Sequence, residues 1–334
     1  MPPNNPVTAS RTLDMLRSAM GPIMTAALDD PDIIEIMVNP DGSLWFDRLG
    51  EGCIRSDNTV TPQAAERIVR LVGSLINQDV TPSNPIVSAE LPNHMGGGGE
   101  RFEGILPPVV SAPSFAIRKK AVAVFTLGDY VEAGIMTPEQ SVALGEAVIE
   151  RKNILIVGGT SSGKTTLANA LLFEVAQCND RVVILEDTRE LQCAADDVVA
   201  LRTHGLNVSL SHLVRSTLRL RPDRVIVGEV RGPEALDMLK VWNTGHPGGI
   251  ATVHANSAEA GLLRIEQLTL EAASTVPKAL IAEAIDIVVF ITGRGKKRRV
   301  ETVASLTKLT GDSYELVPLK PQLPPKLTLS LIHI

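Results

Sequence analysis

The chain has 334 residues, of which 44% are hydrophobic and 21% are charged, so it can bury a large core and global disorder is excluded. Its formal net charge of -6 argues against a protein that tracks nucleic-acid phosphates, and we expect no direct sequence-specific binding of nucleic acid. The three cysteines lie far apart without a C-x-x-C pair, which argues against a zinc or disulfide framework.

The start of the chain carries no sign of a leader or an anchor. Met1–Ser10 is polar and contains proline, so it lacks the apolar core of a signal peptide. No uninterrupted apolar run is long enough to span a bilayer. We therefore expect a cytoplasmic protein whose membrane association is peripheral or through partners.

The first part of the chain is predicted to form a mixed α+β domain at residues 29–120, after an N-terminal helix or tail at residues 1–28. Helical spacing covers Thr12–Leu28 and Pro62–Ile76, and Thr61 is the expected N-cap of the second helix. The glycine-rich stretch Gly96–Gly99 is predicted to be a loop that needs a partner to be ordered. The predicted strands are Asp32–Val38, Ser43–Asp47, Ile86–Leu91, Arg101–Leu106 and Ser114–Arg118.

The pattern changes after a linker at residues 121–136, whose stretch Ala121–Gly134 reads as a connector. Thr137 opens a helix that reaches to about Arg151, and apolar strands then alternate with helices, which predicts a parallel sheet covered on both faces. We place this α/β domain at residues 137–320 and an irregular tail at residues 321–334. The predicted strands are Ile154–Val157, Val182–Leu185, Val198–Leu201, Val225–Val227, Ile250–Val253 and Ile287–Ile291.

A phosphate-binding motif of the form G-x-x-x-x-G-K-S/T follows the first of these strands. Its glycines let backbone N–H groups wrap a phosphate chain at the start of a helix. Lys164 would bridge the β- and γ-phosphates of ATP, and Thr165 would hold Mg²⁺. The alternative is a glycine turn before an ordinary helix, but a strand before the motif and a helix after it favour nucleotide binding. The motif comprises Gly158, Gly159, Thr160, Ser161, Ser162, Gly163, Lys164, Thr165 and Thr166.

Two acidic strand ends are candidates for the chemistry of hydrolysis. Arg181–Glu190 is an apolar strand that ends in Glu186 and Asp187, and Glu186 could hold a metal-bound water or orient an attacking one; a merely solvated acid is the alternative. Glu229 follows the strand Val225–Val227, which we expect beside the P-loop strand, and can polarise water for attack on the γ-phosphate. Gly228 stands where many P-loop enzymes have a magnesium-binding Asp, so the metal is expected to rely on Thr165, water and phosphate oxygens.

A glycine-rich turn in Thr244–His254 feeds a strand that ends in His254. A lone histidine at a strand end is usually structural. Beside a γ-phosphate it could instead sense the state of the nucleotide by hydrogen bonding.

In this order the four motifs resemble those of the traffic ATPases of type II and type IV secretion. The strings "GGTSSGKTT", "LEDTRE", "RPDRVIVGEVRG" and "TGHPGGIATVHANS" match the family's Walker A loop, acidic box, atypical Walker B motif and histidine box. The segment "ELPNHMGGGGERFEGILPPVVSAPSFAIRKKA" resembles the N-domain of the type IV secretion branch, and most of all that of its conjugal-transfer ATPases. The resemblance extends from about Asp29 to Val317.

The resemblance implies a RecA-like P-loop C-terminal domain, a smaller α+β N-terminal domain, and a homohexameric ring. ATP would bind between the two domains, and its hydrolysis would move them and energise a secretion or conjugal-transfer channel for DNA or protein export or pilus biogenesis. Further implied partners are inner-membrane channel components and a coupling ATPase, at the cytoplasmic face of the inner membrane.

The resemblance also carries over the arginines of the family. Two N-domain arginines that reach the nucleotide phosphates fall on Arg101 and Arg118; surface cations on strands are the alternative. Arginines that complete a neighbour's site are sought in one cluster, although such a cluster on a helix is more often a solvated or interface-pairing face. Its members are Arg215, Arg219, Arg221 and Arg224.

Three other functions stay open at this point. One is a pilus motor of the same superfamily, for assembly or retraction; assembly and type II secretion motors usually add a longer N-terminal region, and many carry a four-cysteine zinc module. A small-molecule P-loop kinase would need a substrate lid with its own basic residues, and we find none. A scaffold that binds ATP without hydrolysing it would not require Glu229.

Overall fold

Separate hydrophobic clusters before and after residue 122 divide the computed structural model into two units, residues 1–122 and 123–334. The structure describes residues 6–49, 51–92, 99–119, 124–204 and 207–322, with side chains from residue 11 onward. Residues 96–98 of the predicted glycine loop, and the predicted tail from residue 323, lie outside the described residues.

The first unit is an antiparallel sheet with two helices. Its six strands run in the order β3-β2-β1-β6-β5-β4. The sequence does not predict β3, because most of that strand is exposed and its residues lack an apolar alternation. The elements are α1 (Pro6–Asp29), β1 (Ile33–Val38), β2 (Ser43–Arg48), β3 (Gly52–Thr59), α2 (Pro62–Leu75), β4 (Ile86–Glu90), β5 (Arg101–Ile105) and β6 (Ser114–Arg118).

Helix α2 starts where the sequence predicts. The Thr61 side chain accepts a hydrogen bond from the backbone N–H of Ala64, and proline occupies the first helical turn. The helix buries Ile68, Val69 and Val72 on one face, at the spacing of a helix that packs on a sheet.

Helix α1 belongs to the core of the same unit. It bends at Gly21, whose φ of 71° is not helical, and it buries Leu16, Met20 and Met24 in the cluster that also contains the apolar face of α2. The predicted separate segment at residues 1–28 is therefore largely a packed helix in the structure.

The second unit is built on an eight-stranded sheet in the order β14-β13-β12-β7-β11-β10-β8-β9. The six strands from β12 to β9 are parallel, and the two at the other edge are antiparallel. All six predicted strands are present. The elements are α3 (Leu127–Glu132), α4 (Pro138–Ile149), β7 (Ile154–Gly158), α5 (Lys164–Val175), β8 (Val182–Glu186), β9 (Val198–Arg202), α6 (Leu210–Thr217), β10 (Arg224–Val227), α7 (Glu234–Asn243), β11 (Ile250–His254), α8 (Ala258–Thr269), α9 (Lys278–Ala284), β12 (Ile287–Thr292), β13 (Arg299–Thr310) and β14 (Ser313–Pro318).

Helices cover both faces of this sheet, which confirms the predicted α/β class. In β7, Leu155 and Val157 pack with α6 to α9, whereas Ile154 and Ile156 pack with α3 to α5. This alternation follows from the period of two along a strand. Since parallel strands all end at one edge of the sheet, the carboxyl ends of β7, β8, β10, β11 and β12 share an edge.

Two parts of the second unit differ from the prediction. The connector Ala121–Gly134 contains α3, which a reciprocal capping box between Thr126 and Asp129 starts. The antiparallel hairpin β13–β14 is also not predicted from the sequence; its turn contains Gly311 with φ of 59°. Among the described residues, no helix has the length and apolarity needed to cross a bilayer.

Candidate active site

The loop between β7 and α5 has the predicted strand–loop–helix geometry. β7 is buried along its whole length and ends at Gly158, and α5 begins at Lys164. Gly163 has φ of 98°, a left-handed conformation that favours glycine. The first turn of α5 thus presents backbone N–H groups that lack intrahelical acceptors, and such a helix start binds anions.

Close packing shapes the start of this loop. A methyl group on Gly158 would lie 2.5 Å from the carbonyl oxygen of Ile291 in β12 and 2.5 Å from Oγ of Ser162. Only glycine fits there, so the loop is held close to the sheet. Of the remaining motif residues, Thr160 and Ser161 are exposed, Ser162 is buried, and Gly159, Thr165 and Thr166 are half-buried.

Lys164 lies under the loop, only 6% exposed. Its Nζ donates to the carbonyl oxygens of Gly158, at 3.0 Å, and Gly159, at 2.9 Å. It also lies 3.3 Å from Nε2 and 3.4 Å from Nδ1 of His254. The register of the sheet explains the second contact, since Gly158 and His254 are paired residues of β7 and β11.

Glu229 lies between the side chains of His254 and Arg231. Nε2 of His254 lies 2.7 Å from its Oε1, and Nε of Arg231 donates to its Oε2 at 2.8 Å. Arg231 also lies 3.9 Å from Asp187. The structure therefore brings Lys164, His254 and Glu229 into one row and adds Arg231 at its end.

The predicted position of the strand that carries Glu229 is wrong in one respect. β10 is not the neighbour of the P-loop strand, because β11 lies between β7 and β10. The inserted strand is what places the His254 imidazole between Lys164 and Glu229.

Glu186 has a structural task at the end of β8. It is 5% exposed, and its Oε1 accepts hydrogen bonds of 2.8 Å from the backbone N–H groups of Glu190 and Leu191. A methyl group on Gly228 would lie 2.9 Å from Cγ of Glu186, so the glycine of the Gly228-Glu229 pair leaves room for this carboxylate. Glu186 fixes the path of the acidic loop that follows it.

The acid next to the P-loop threonine is Glu190. Oγ1 of Thr165 donates to Oε2 of Glu190 at 3.3 Å. Asn169, buried in α5, holds the same loop, since its Nδ2 donates to the carbonyl oxygen of Glu190 and its Oδ1 accepts from the N–H of Gln192. No group of three or more His, Cys, Asp or Glu residues that could hold a metal occurs in the described part of the chain.

Arg224 must be removed from the set of residues that could reach a neighbouring subunit. It is 1% exposed, its Nε donates to Asp180 at 2.6 Å, and its Nη2 donates to the carbonyl oxygen of Val148 at 2.9 Å. Arg215 is exposed and pairs with Asp237 at 3.1 Å. Arg219 and Arg221 are exposed.

Arg101 and Arg118 are residues of the first unit and are directly opposite each other in the antiparallel pair β5–β6. Arg118 is in turn opposite Glu35 on β1, and Arg101 is opposite Glu90 on β4. Burial raises the pKa of Glu35, and the neighbouring Arg118 acts in the opposite direction. The two arginines share one face of the sheet, and their contact with a nucleotide stays a prediction.

The sequence pattern does not predict two residues beside the P-loop and Glu229, namely Arg231 and Glu190. Both belong to the quoted motifs, Arg231 two residues after Glu229 and Glu190 four residues after Glu186. The spacing alone does not assign them, because their contacts depend on which strands are neighbours and on the path of the loop after β8.

Comparison with known proteins agrees with the resemblance. The chain is 46% identical over 308 residues to "Probable conjugal transfer protein TrbB" of Sinorhizobium fredii, covering 92% of this chain and 93% of that protein. It is 32% identical over 311 residues to "Type IV secretion system protein PtlH" of Bordetella pertussis, covering 82% and 90%.

A solved structure supports the fold. The Legionella pneumophila ATPase DotB superposes with a TM-score of 0.56 and 16% identity, covering 98% of this chain and 87% of that one. The predicted RecA-like P-loop fold is thereby confirmed. The sequence profile described as "Type II/IV secretion system protein" matches residues 21–299. The chain belongs to this type II/IV secretion system protein family.

Proposed function

We propose that the chain is an ATP-hydrolysing motor that works as a homohexamer and energises a conjugal-transfer or type IV secretion apparatus. The observation that carries the proposal is the row of Lys164, His254 and Glu229 at the carboxyl edge of the parallel sheet. It is supported by the 46% identity to a conjugal transfer protein over 93% of that protein's length.

The loop at residues 158–163 suits the phosphates of ATP. Its left-handed Gly163, the tight Gly158 and the first turn of α5 form a cradle of backbone N–H groups. Lys164 adds a positive charge below the cradle. When ATP binds, its ammonium group would donate hydrogen bonds to phosphate oxygens in place of the carbonyl oxygens of Gly158 and Gly159.

Glu229 is the group best placed to activate water. A carboxylate accepts about four hydrogen bonds, so its contacts with His254 and Arg231 leave capacity for a water molecule. Glu229 would take a proton from the attacking water. The new bond joins the water oxygen to the γ-phosphorus, the bond to the β–γ bridging oxygen breaks, and the products are ADP and phosphate.

Thr165 is the protein group that would hold Mg²⁺, with Glu190 beside it and able to reach the metal through water. When bound, the metal neutralises charge on the phosphate oxygens. This arrangement fits the residues present, because the Thr165 hydroxyl is an oxygen ligand and the Glu190 carboxylate lies beside it.

The motor role adds partners to the ATPase. Copies of the chain would form the ring, and Arg101 and Arg118 would contact phosphates bound to the P-loop unit. The ring would act at the cytoplasmic face of the inner membrane, bound peripherally to channel components and to a coupling ATPase.

Size-exclusion chromatography with light scattering, with and without ATP, combined with a phosphate-release assay, tests the proposal. We expect a hexamer in the presence of ATP and phosphate release in the wild type. Lys164→Ala should abolish release and weaken nucleotide binding, whereas Lys240→Ala, at an exposed position of α7, should match the wild type.

Wild-type turnover by Lys164→Ala would sink the assignment of the site. If the wild type is a monomer that hydrolyses ATP at full rate, the proposed hexamer is wrong and the proposed ATPase activity stands. If Lys240→Ala also loses phosphate release and nucleotide binding, the losses in Lys164→Ala reflect reduced stability and not the chemistry of the site.

A further inference from the structure

The loop between β12 and β13 is rich in cations and lies beside the P-loop. We name residues 293–299, "GRGKKRR", the basic loop, counting Arg299, which is also the first residue of β13. Within it, Arg294, Lys296, Lys297 and Arg299 are exposed, and Arg298 is half-buried. In a chain with a net charge of -6, five cations in seven residues are a local concentration of positive charge.

Arg298 is the member of the basic loop that faces the P-loop. A methyl group on Gly163 would lie 3.0 Å from its Nε and 3.2 Å from both Cδ and Cζ. The guanidinium stem thus packs against the glycine that opens helix α5. The left-handed φ of Gly163 favours glycine, and a methyl group there would also press on the Arg298 side chain.

The backbone around Arg298 is fixed. The backbone N–H of Arg298 donates to the carbonyl oxygen of Gly295 at 3.1 Å. The N–H of Val300 donates to the carbonyl oxygen of Ile135 at 2.7 Å. A methyl group on Gly293 would lie 2.0 Å from the carbonyl oxygen of Lys297, so the loop closes on itself tightly. Arg298 is therefore held in place without help from its own side chain.

Nε of Arg298 and Oη of Tyr130 are buried without a hydrogen-bond partner among the described residues, and so is Oγ of Ser162 in the P-loop. Tyr130 and Ser162 are 3% and 4% exposed. Burial raises the pKa of Tyr130 well above its ordinary value, and the neighbouring guanidinium of Arg298 acts in the opposite direction. Buried polar atoms in native proteins are normally paired, so Nε of Arg298 is a donor that still needs an acceptor.

The position in the sheet indicates which part of a nucleotide would meet Arg298. If the proposed function holds, the γ-phosphate lies toward Glu229 and His254, at the ends of β10 and β11. β12, which leads into the basic loop, flanks β7 on the opposite side. A nucleotide whose γ-phosphate points to one side of the P-loop directs its nucleoside to the other.

We propose that Arg298 binds the nucleoside end of the nucleotide, donating from its guanidinium to ribose or adenine acceptors and stacking on the base, with the Tyr130 hydroxyl beside it. A planar guanidinium suits both contacts, because it carries five donors and stacks on flat rings. This inference rests on the proposed ATP site. With this contact, Arg298 would let the site distinguish a nucleotide from an inorganic polyphosphate.

Calorimetry with ADP and with inorganic pyrophosphate separates the two ends of the ligand. We expect Arg298→Gln to weaken ADP binding about tenfold, the scale of a charge-assisted hydrogen bond, and to leave pyrophosphate affinity unchanged. Arg299→Gln is the matched control, since Arg299 is exposed, adjacent and paired with Glu301 at 3.0 Å, and it should behave as the wild type. Arg298→Lys keeps the charge and most of the alkyl packing, and it replaces Arg298→Gln if that variant does not fold.

Equal losses for ADP and pyrophosphate would overturn the inference, because they would mean a phosphate contact or a disturbed P-loop. Unchanged ADP affinity would overturn it as well and leave Arg298 as a packing residue. Wild-type protein that binds neither ligand would instead contradict the proposed function, so the two failures are distinguishable.

Discussion

Nε2 of His254 lies 2.7 Å from Oε1 of Glu229, at the ends of the adjacent parallel strands β11 and β10. A carboxylate only accepts hydrogen bonds, so Nε2 must carry the hydrogen. In the neutral ring Nδ1 is then an acceptor, and Nζ of Lys164 lies 3.4 Å from Nδ1 and 3.3 Å from Nε2. The His254 imidazole therefore lies between Lys164, below the P-loop, and Glu229, the carboxylate proposed as the general base.

Glu229→Gln should separate ATP binding from ATP hydrolysis. The amide keeps the size of the side chain but cannot accept a proton, so turnover should fall roughly 10²-fold or more while ATP still binds. Phosphate release and ATP calorimetry measure the two quantities. Glu259→Gln, on the exposed first turn of α8, is the control and should change neither. A folded Glu229→Gln protein that no longer binds ATP would make Glu229 a ligand or a structural residue.

His254→Ala should lower kcat while leaving nucleotide affinity nearly intact. The change removes the hydrogen bond that orients Glu229, and we expect roughly a tenfold loss or more, within the range of general-base effects. His254→Gln should restore part of the rate, because its amide can donate to Glu229. Steady-state kinetics and ADP calorimetry distinguish this role from a structural one. A parallel loss of kcat, affinity and thermal stability would argue for a residue of the fold.

Glu186 should matter to stability first. Glu186→Ala leaves the N–H groups of Glu190 and Leu191 without their acceptor, so the free energy of unfolding should fall by about 2 kcal/mol. Urea unfolding measures this. The adjacent Asp187→Ala, at a half-exposed side chain, should cost less than about 0.5 kcal/mol. If Glu186→Ala instead keeps full stability and loses hydrolysis, the carboxylate takes part in the chemistry.

Arg101→Ala and Arg118→Ala should each raise the apparent KM for ATP without unfolding the protein. The two arginines repel each other across the β5–β6 pair, but each also lies opposite a glutamate, Glu90 or Glu35, so removing one arginine should change stability little. Arg55→Ala, on the exposed strand β3 of the same sheet, is the control. Calorimetry with ATP and ADP then locates the contact: a larger loss for ATP indicates the γ-phosphate, and similar losses indicate the β-phosphate. Unchanged affinity and turnover in both variants would make these arginines surface charges.

Arg224→Leu should destabilise the second unit by about 3 kcal/mol, because it leaves the buried Asp180 carboxylate with Arg151 as its remaining arginine partner. Denaturant unfolding of this variant, beside the exposed Arg221→Ala, tests the assignment. Comparable stability of the two variants would show that the ion pair contributes little. A loss of hexamer without a loss of stability would revive Arg224 as an intersubunit residue.

The sequence predicts what is local in this molecule. The P-loop follows from a buried strand, a glycine run and a helix start within about twenty residues, and Glu229 and His254 follow from the ends of apolar strands. Strand order is not local, so the position of β11 between β7 and β10 does not follow from periodicity, and neither does the contact of Arg231 with Glu229.

Three of the missed elements, α3 and the two strands of the β13–β14 hairpin, had weaker signals that the chain does carry. The pair Thr126 and Asp129 has the spacing of a capping box, and it starts α3 inside the stretch read as a connector. β13 and β14 flank a Gly311-Asp312 turn, but their many polar and charged residues obscure the alternation. The basic loop comes next to the P-loop only through the packing of β12 against β7, which explains why Arg298 is invisible as a site residue in the sequence.

Arg224 is the first residue of the four-residue strand β10, and Glu229 lies two residues after its last residue, Val227. The Arg224–Asp180 pair is almost wholly shielded from solvent, whereas the residues around Glu229 are partly open to it. Mobile ions screen exposed charges far more than buried ones. Raising the ionic strength should therefore weaken the electrostatic attraction of charged molecules to the residues around Glu229. It should not weaken the buried Arg224–Asp180 ion pair that fixes the start of β10.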